Sequence, residues 1–207
     1  MDSFLNAARD AGRRVMFQVA RGLNRVTLGK LHPNVVTLTG LLAHLPIAYF
    51  IARGELVLAA GLLLFFGLFD ALDGALAKVQ NRASSAGMLL DASTDRMKEV
   101  LLYMGAAYYF VASDLAFYAV WAVAACGGSL LVSYVKAKGE TAVRDSKLSA
   151  NEVNKLFSDG LMRFEVRMLV LIIGLVTNYL WLAVAVIAVL SWLTAFQRLI
   201  RLSKKLE

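Results

Sequence analysis

A single cysteine, Cys126, rules out an intramolecular disulfide, and its place inside an apolar run makes it a small buried hydrophobe. Only two prolines, in a chain that is 59% hydrophobic, exclude a disordered chain, and there is no internal repeat and no low-complexity tract. Charge is sparse as well: 18% of residues are Asp, Glu, Lys or Arg, against about 25% in an ordinary soluble domain. The first thirty residues carry Arg9, Arg13, Arg14, Arg21 and Arg25 without an uninterrupted apolar core, which argues against a secretory signal peptide. The two histidines, His32 and His44, are isolated and read as structural.

In excess is apolar surface. Hydrophobic residues make up 59% of the 207, where soluble domains have roughly 45–50%. Such a chain needs a solvent other than water. At about 20 residues per transmembrane helix, it holds six spans and no separate soluble domain. The expected fold is an all-α polytopic membrane protein forming one domain over 1–207. A net charge of +7 would suggest nucleic acid in a soluble protein. Here the basic residues flank apolar runs, which points to membrane orientation and to no nucleic-acid partner.

Residues 3–28 read as an amphipathic helix in the membrane surface. Val15, Val19, Leu23 and Val26 recur at helical spacing, with Arg14, Arg21 and Arg25 off that stripe. A soluble helix packed on the rest is the alternative. Pro33 breaks the helix. A six-helix bundle over 35–203 follows. Its spans are Val35–Ala52, Leu56 to about Lys78, Gly87–Ala112, Leu115 to about Tyr134, Met168–Val176 with a polar extension from Gly160, and Tyr179 to about Leu199. A long polar loop, Gly139–Asp159, separates the fourth and fifth. Of the 22 lysines and arginines, all but Arg53 fall in regions that share one side if there are six spans. The positive-inside rule then puts both termini in the cytoplasm of a multi-pass cell-membrane protein.

Four aspartates sit where an apolar segment should have none: Asp70 and Asp73 late in the second span, Asp91 and Asp95 early in the third. A carboxylate near the bilayer centre costs roughly 2.5–3.5 kcal/mol on insertion scales, less toward the interface. Asp70, Asp73 and Ala77 fall at i, i+3 and i+7; Gly87, Asp91 and Asp95 at i, i+4 and i+8. Each set therefore lies on one helix face. The segment between them is short and polar, so the helices are antiparallel neighbours and the carboxylates converge near the cytoplasmic end. Hard divalent cations relieve the resulting repulsion, and all-oxygen ligation suits Mg²⁺ or Mn²⁺. Gly74, Ala77 and Gly87 leave room beside the metals for a ligand. A divalent-cation transporter would use such a cluster too.

The string Asp70-x2-Asp73-Gly74-x2-Ala77-Lys78-x8-Gly87-x3-Asp91-x3-Asp95 resembles the motif of the CDP-alcohol phosphatidyltransferases, departing only at Lys78, where the family has arginine. The resemblance implies a homodimeric membrane enzyme with two divalent ions, Mg²⁺ or Mn²⁺, held by Asp70, Asp73, Asp91 and Asp95. It makes Asp95 the general base toward the acceptor hydroxyl. It also implies a CDP-lipid donor, with Thr37, Gly74, Ala77, Lys78, Ser84 and Gly87 at the nucleotide, and an active site on the cytoplasmic side. Ser133 to Glu140 and Gln197-Arg198 are similar to segments of the phosphatidylinositol phosphate synthases. That likeness suggests that Lys136, Lys138, Arg163, Arg167 and Arg198 bind an anionic alcohol acceptor, favoured inositol phosphate, with glycerol 3-phosphate as the alternative. Taken one at a time, each of these cations is equally well read as snorkelling at the membrane edge.

Overall fold

The computed structural model describes residues 2–144 and 162–206, with side chains for 12–142 and 162–205. Among the described residues the regular structure is helical: α1 (Asp2–Val26), α2 (Pro33–Ala52), α3 (Leu56–Val79), α4 (Ser85–Ala112), a 3-10 turn at Ala116–Tyr118, α5 (Ala119–Arg144), α6 (Phe164–Val176) and α7 (Leu180–Leu206). In hydrocarbon every backbone N–H and C=O must be satisfied within the segment, which is why long apolar runs become helices. Left-handed residues follow the helix ends: Gly54 (φ 77), Asn81 (φ 53), Asp114 (φ 58) and Asn178 (φ 64). Gly, Asn and Asp are the residues that adopt this conformation at least cost.

Among the described residues four segments are long and apolar enough to cross a membrane: Pro33–Ala52, Leu56–Val79, Ala116–Ala142 and Leu180–Lys205. The described residues form a helical protein with the long apolar helices of a membrane protein. The other two expected spans fall short on these criteria for different reasons. The N-terminal part of α4, through Glu99, carries Asp91, Asp95, Arg96, Lys98 and Glu99. Helix α6 has 13 residues, about 20 Å at 1.5 Å per residue against a core of about 30 Å.

Two boundaries differ from expectation. The fourth span continues as helix to Arg144, so Gly139 lies inside α5 and does not open the loop; α7 likewise continues to Leu206. These extensions are rich in Lys, Ala, Glu and Arg, good helix formers that are not lipid-soluble. The rest of the expected loop, and Gly160, lie outside the described residues.

The chain divides into two compact units. The first comprises Met1–Ile47 and Gly61–Leu101. In it α1 lies against α2 and α3 through Ala20, Val36 and Leu76, with Leu23, Leu31, Phe69 and Leu72 around them. Gln80 fastens this contact, its Nε2 donating to Asn24 Oδ1 (2.8 Å) and to the Leu31 carbonyl (2.9 Å). The expected apolar stripe of α1 is thereby split: Leu23 packs inward, while Val15, Val19 and Val26 stay exposed.

The second unit comprises Ala48–Ala60 and Leu102–Glu207. Helix α5 packs along α7, and α6 against α7. Gly128 permits the close approach: a methyl built on it would stand 3.0 Å from both Ser191 Cβ and Trp192 Cδ1. The Trp192 indole donates to the Ala124 carbonyl at 3.0 Å, and Tyr103 Oη pairs with Ser129 Oγ at 3.1 Å.

Candidate active site

All four motif aspartates belong to the first unit, two on α3 and two on α4. The turn between these helices is short, and Ser84 caps α4 by accepting the Gly87 N–H at 3.1 Å. That cap starts α4 at Ser85, so Asp91 and Asp95 fall well inside a regular helix, one turn apart. A methyl on Gly87 would crowd the Ser84 hydroxyl at 3.3 Å.

Each carboxylate has its own surroundings. Asp73 is buried and accepts the Thr37 hydroxyl from α2 at 2.5 Å. Asp70 accepts from the Lys98 ammonium, which also reaches Asp95 Oδ1 at 3.3 Å. The other oxygen of Asp95 lies 3.7 Å from Arg96 Nη2, and Arg96 Nε lies 3.7 Å from buried Glu99. Asp91 is partly exposed, one turn before Asp95. Among the described residues no three Asp, Glu, His or Cys side chains stand close enough together to hold a metal ion. Like charges repel, and Lys98 and Thr37 draw three of the four carboxylates to themselves. The donor chemistry nevertheless fits a hard divalent cation: oxygen ligands from two facing helices, with an ammonium already drawn to two of them.

The expected nucleotide residues divide by exposure. Gly74 has nothing within 4 Å of where a Cβ would be. It lines, with Ala71, Ala75 and exposed Lys78, a cleft of about 680 Å³ whose opposite wall is α1, with Arg13, Arg14 and Gln18. Ala77 is half-buried and Gly87 partly exposed. Thr37 is 4% exposed and turned to Asp73, so its hydroxyl serves that carboxylate. A second cleft of about 680 Å³, apolar, runs along α2 and α4 past Leu41, Leu45, Met97 and Leu101 and has Arg96 in its wall.

The expected acceptor cations lie in the second unit. Arg167 (1% exposed) donates to the Met162 carbonyl at 2.7 Å, and Arg198 (5%) to the Val132 carbonyl at 3.2 Å. Arg163 and Arg167 are near enough to Arg198 for their charges to act on it, an arrangement that favours an anion. Lys136 and Lys138 are exposed, and Lys136 lies 3.8 Å from Glu140. Sequence reasoning missed Lys98. Its spacing, i+3 from Asp95 and i+7 from Asp91, was the available signal. His44, expected to be structural, is buried and bonded to the Gly40 carbonyl at 2.7 Å.

Comparison with known proteins adds four findings. Residues 30–197 match the family model described as CDP-alcohol phosphatidyltransferase. The archaetidylinositol phosphate synthase of Pyrococcus horikoshii is 30% identical over 189 residues, covering 90% of each chain. The crystal structure of Mycobacterium tuberculosis phosphatidylinositol phosphate synthase with CDP-DAG bound is similar at a TM-score of 0.76 and 27% identity, over 91% of this chain and 94% of that one. The same enzyme in complex with manganese and citrate also superposes at 0.76 and 27%, over 91% and 88%.

Proposed function

The chain belongs to the CDP-alcohol phosphatidyltransferase family, and on that premise we propose that it transfers a phosphatidyl-type group from a CDP-lipid to an inositol phosphate, releasing CMP. The observation that carries this reading is the set of four carboxylates on α3 and α4, in a chain whose relatives are inositol phosphate-lipid synthases. Family membership replaces the transporter reading of that cluster.

Asp70, Asp73, Asp91 and Asp95 hold two divalent ions, Mg²⁺ or Mn²⁺. When bound, the ions neutralise the diphosphate and make CMP a better leaving group. Asp95 accepts the proton of the acceptor hydroxyl, which becomes the nucleophile at the phosphorus. Thr37 acts through Asp73, fixing its carboxylate. Gly74, where no side chain blocks approach, and Lys78 receive the nucleotide, with Ala77, Ser84 and Gly87 beside them. The apolar cleft along α2 and α4 takes the donor's hydrocarbon chain. Arg163, Arg167 and Arg198, with Lys136 and Lys138, recognise the acceptor phosphate by charge-assisted hydrogen bonds.

The family match over most of the chain supports a single functional domain. We extend the reading to six spans with α4 and α6 included, to α1 as an interfacial helix, to cytoplasmic termini and active site, and to a homodimer. The test uses purified protein with CDP-diacylglycerol, Mg²⁺ or Mn²⁺ and a panel of acceptors, reading CMP release. Inositol phosphate should give the highest kcat/KM; preference for unphosphorylated inositol or serine sinks the acceptor assignment, and preference for glycerol 3-phosphate redirects it.

A further inference from the structure

Resting on the metal-binding reading above, we propose that Lys98 is a positioning residue of the metal site: a tethered counter-cation that holds Asp70 and Asp95 together and competes with the divalent ion for them. Lys98 is 1% exposed, and its ammonium pairs with carboxylates from two helices, Asp70 on α3 and Asp95 on α4. A charge so buried persists only where paired, and here both partners are proposed metal ligands. The stem of Lys98 runs beside Gly40 of α2, where a built methyl would stand 3.9 Å from Lys98 Cε and 3.8 Å from Asp70 Oδ1. A larger side chain at 40 would take that space. Arg96 sits differently: it faces the other oxygen of Asp95 and is shared with Glu99.

Two effects of opposite sign follow. The ammonium offsets repulsion between two carboxylates and keeps α3 and α4 together before an ion arrives. A positive charge beside the ligands also weakens the binding of a divalent cation, which keeps the ion exchangeable. A purely structural helix-to-helix ion pair would give the first effect without the second.

The test is Mn²⁺ titration of the purified full chain after EDTA stripping, with free Mn²⁺ read by electron paramagnetic resonance, beside melting in EDTA. Lys98→Met and Lys98→Gln should bind Mn²⁺ about tenfold more tightly than wild type and melt at lower temperature in EDTA. Lys98→Gln keeps a donor for Asp70, so the measurement does not depend on tolerance of a buried apolar tip. Lys98→Arg should retain wild-type affinity. Unchanged or weaker Mn²⁺ binding in folded Lys98→Gln overturns the proposal, as does tightening in Lys98→Arg. Asp91→Asn separates the two readings. If it loses Mn²⁺ while Lys98→Gln matches wild type, the Lys98 proposal alone fails. If it binds Mn²⁺ like wild type, or wild type binds none, the metal-site reading falls and takes the Lys98 role with it.

Discussion

Thr37, Lys98 and Arg96 give the four aspartates unequal surroundings. Asp73 is buried under a hydroxyl, whereas Asp95 stands between two cations with its side chain 18% exposed. A carboxylate that takes a proton from an incoming alcohol must be reachable, and Asp95 meets that need better than Asp73. Asp95→Asn keeps the shape and hydrogen-bonding size while removing the base. CMP release should fall by about 10²–10⁴-fold, in a protein that still inserts and purifies; activity near wild type would remove Asp95 from the base role. The aspartates and their small neighbours were legible because helical spacing is a fixed geometric rule: i, i+3, i+4 and i+7 name one face. Lys98 obeys the same rule but was passed over. A lone lysine in a membrane helix is read as snorkelling toward water, and only contact with Asp70, 28 residues away, distinguishes it.

Helix boundaries were legible where a turn residue stops the chain and illegible where only hydropathy changes. Gly54, Asp114 and Asn178 fall in the three short connections expected from sequence, each in a left-handed conformation. Just beyond Tyr134 the one such residue, Gly139, stays helical. The apolar pattern fades while Lys136, Ala137, Lys138 and Glu140 continue to favour helix, so α5 outruns the lipid-soluble run. The pairing of α3 with α4 followed from their short connection, but close glycine contacts elsewhere were not legible, because a glycine in an apolar run gives no sign of what it faces. Gly105 of α4 is the clearest case. A methyl built there would stand 2.5 Å from the Ala48 carbonyl oxygen and 3.1 Å from Ala48 Cα, backbone that cannot swing aside. Gly105→Ala should therefore cost about 1–3 kcal/mol by overpacking, seen as a lower melting temperature in detergent. Gly67→Ala is the control: nothing lies within 4 Å of its built methyl, so its melting temperature should hold. Equal melting of the two variants would show that the helices part without penalty.

The span count depends on α4, because its polar half breaks the rule that a crossing helix carries few charges. Much of that charge is paired internally: Lys98 with Asp70 and Asp95, Arg96 with Asp95 and Glu99. Such pairing lowers the cost of carrying the polar end into or against the membrane. If α4 crosses, Lys136 and Lys138 at the end of α5 share a side with Arg82 and the basic residues of α1. If only the four long apolar helices cross, those lysines are carried to the opposite side, against the positive-inside rule. Two exposed positions separate these topologies, Ser113 just after α4 and Thr141 near the end of α5. In a background with Cys126→Ala, Ser113→Cys should react with a membrane-impermeant maleimide added to intact cells, and Thr141→Cys should react only after permeabilisation. The four-span arrangement gives the reverse pattern at both positions. That result would place the cations of α5 on the side opposite Arg82, and the acceptor-phosphate role of Lys136 and Lys138 would lose its physical basis along with the six-span fold.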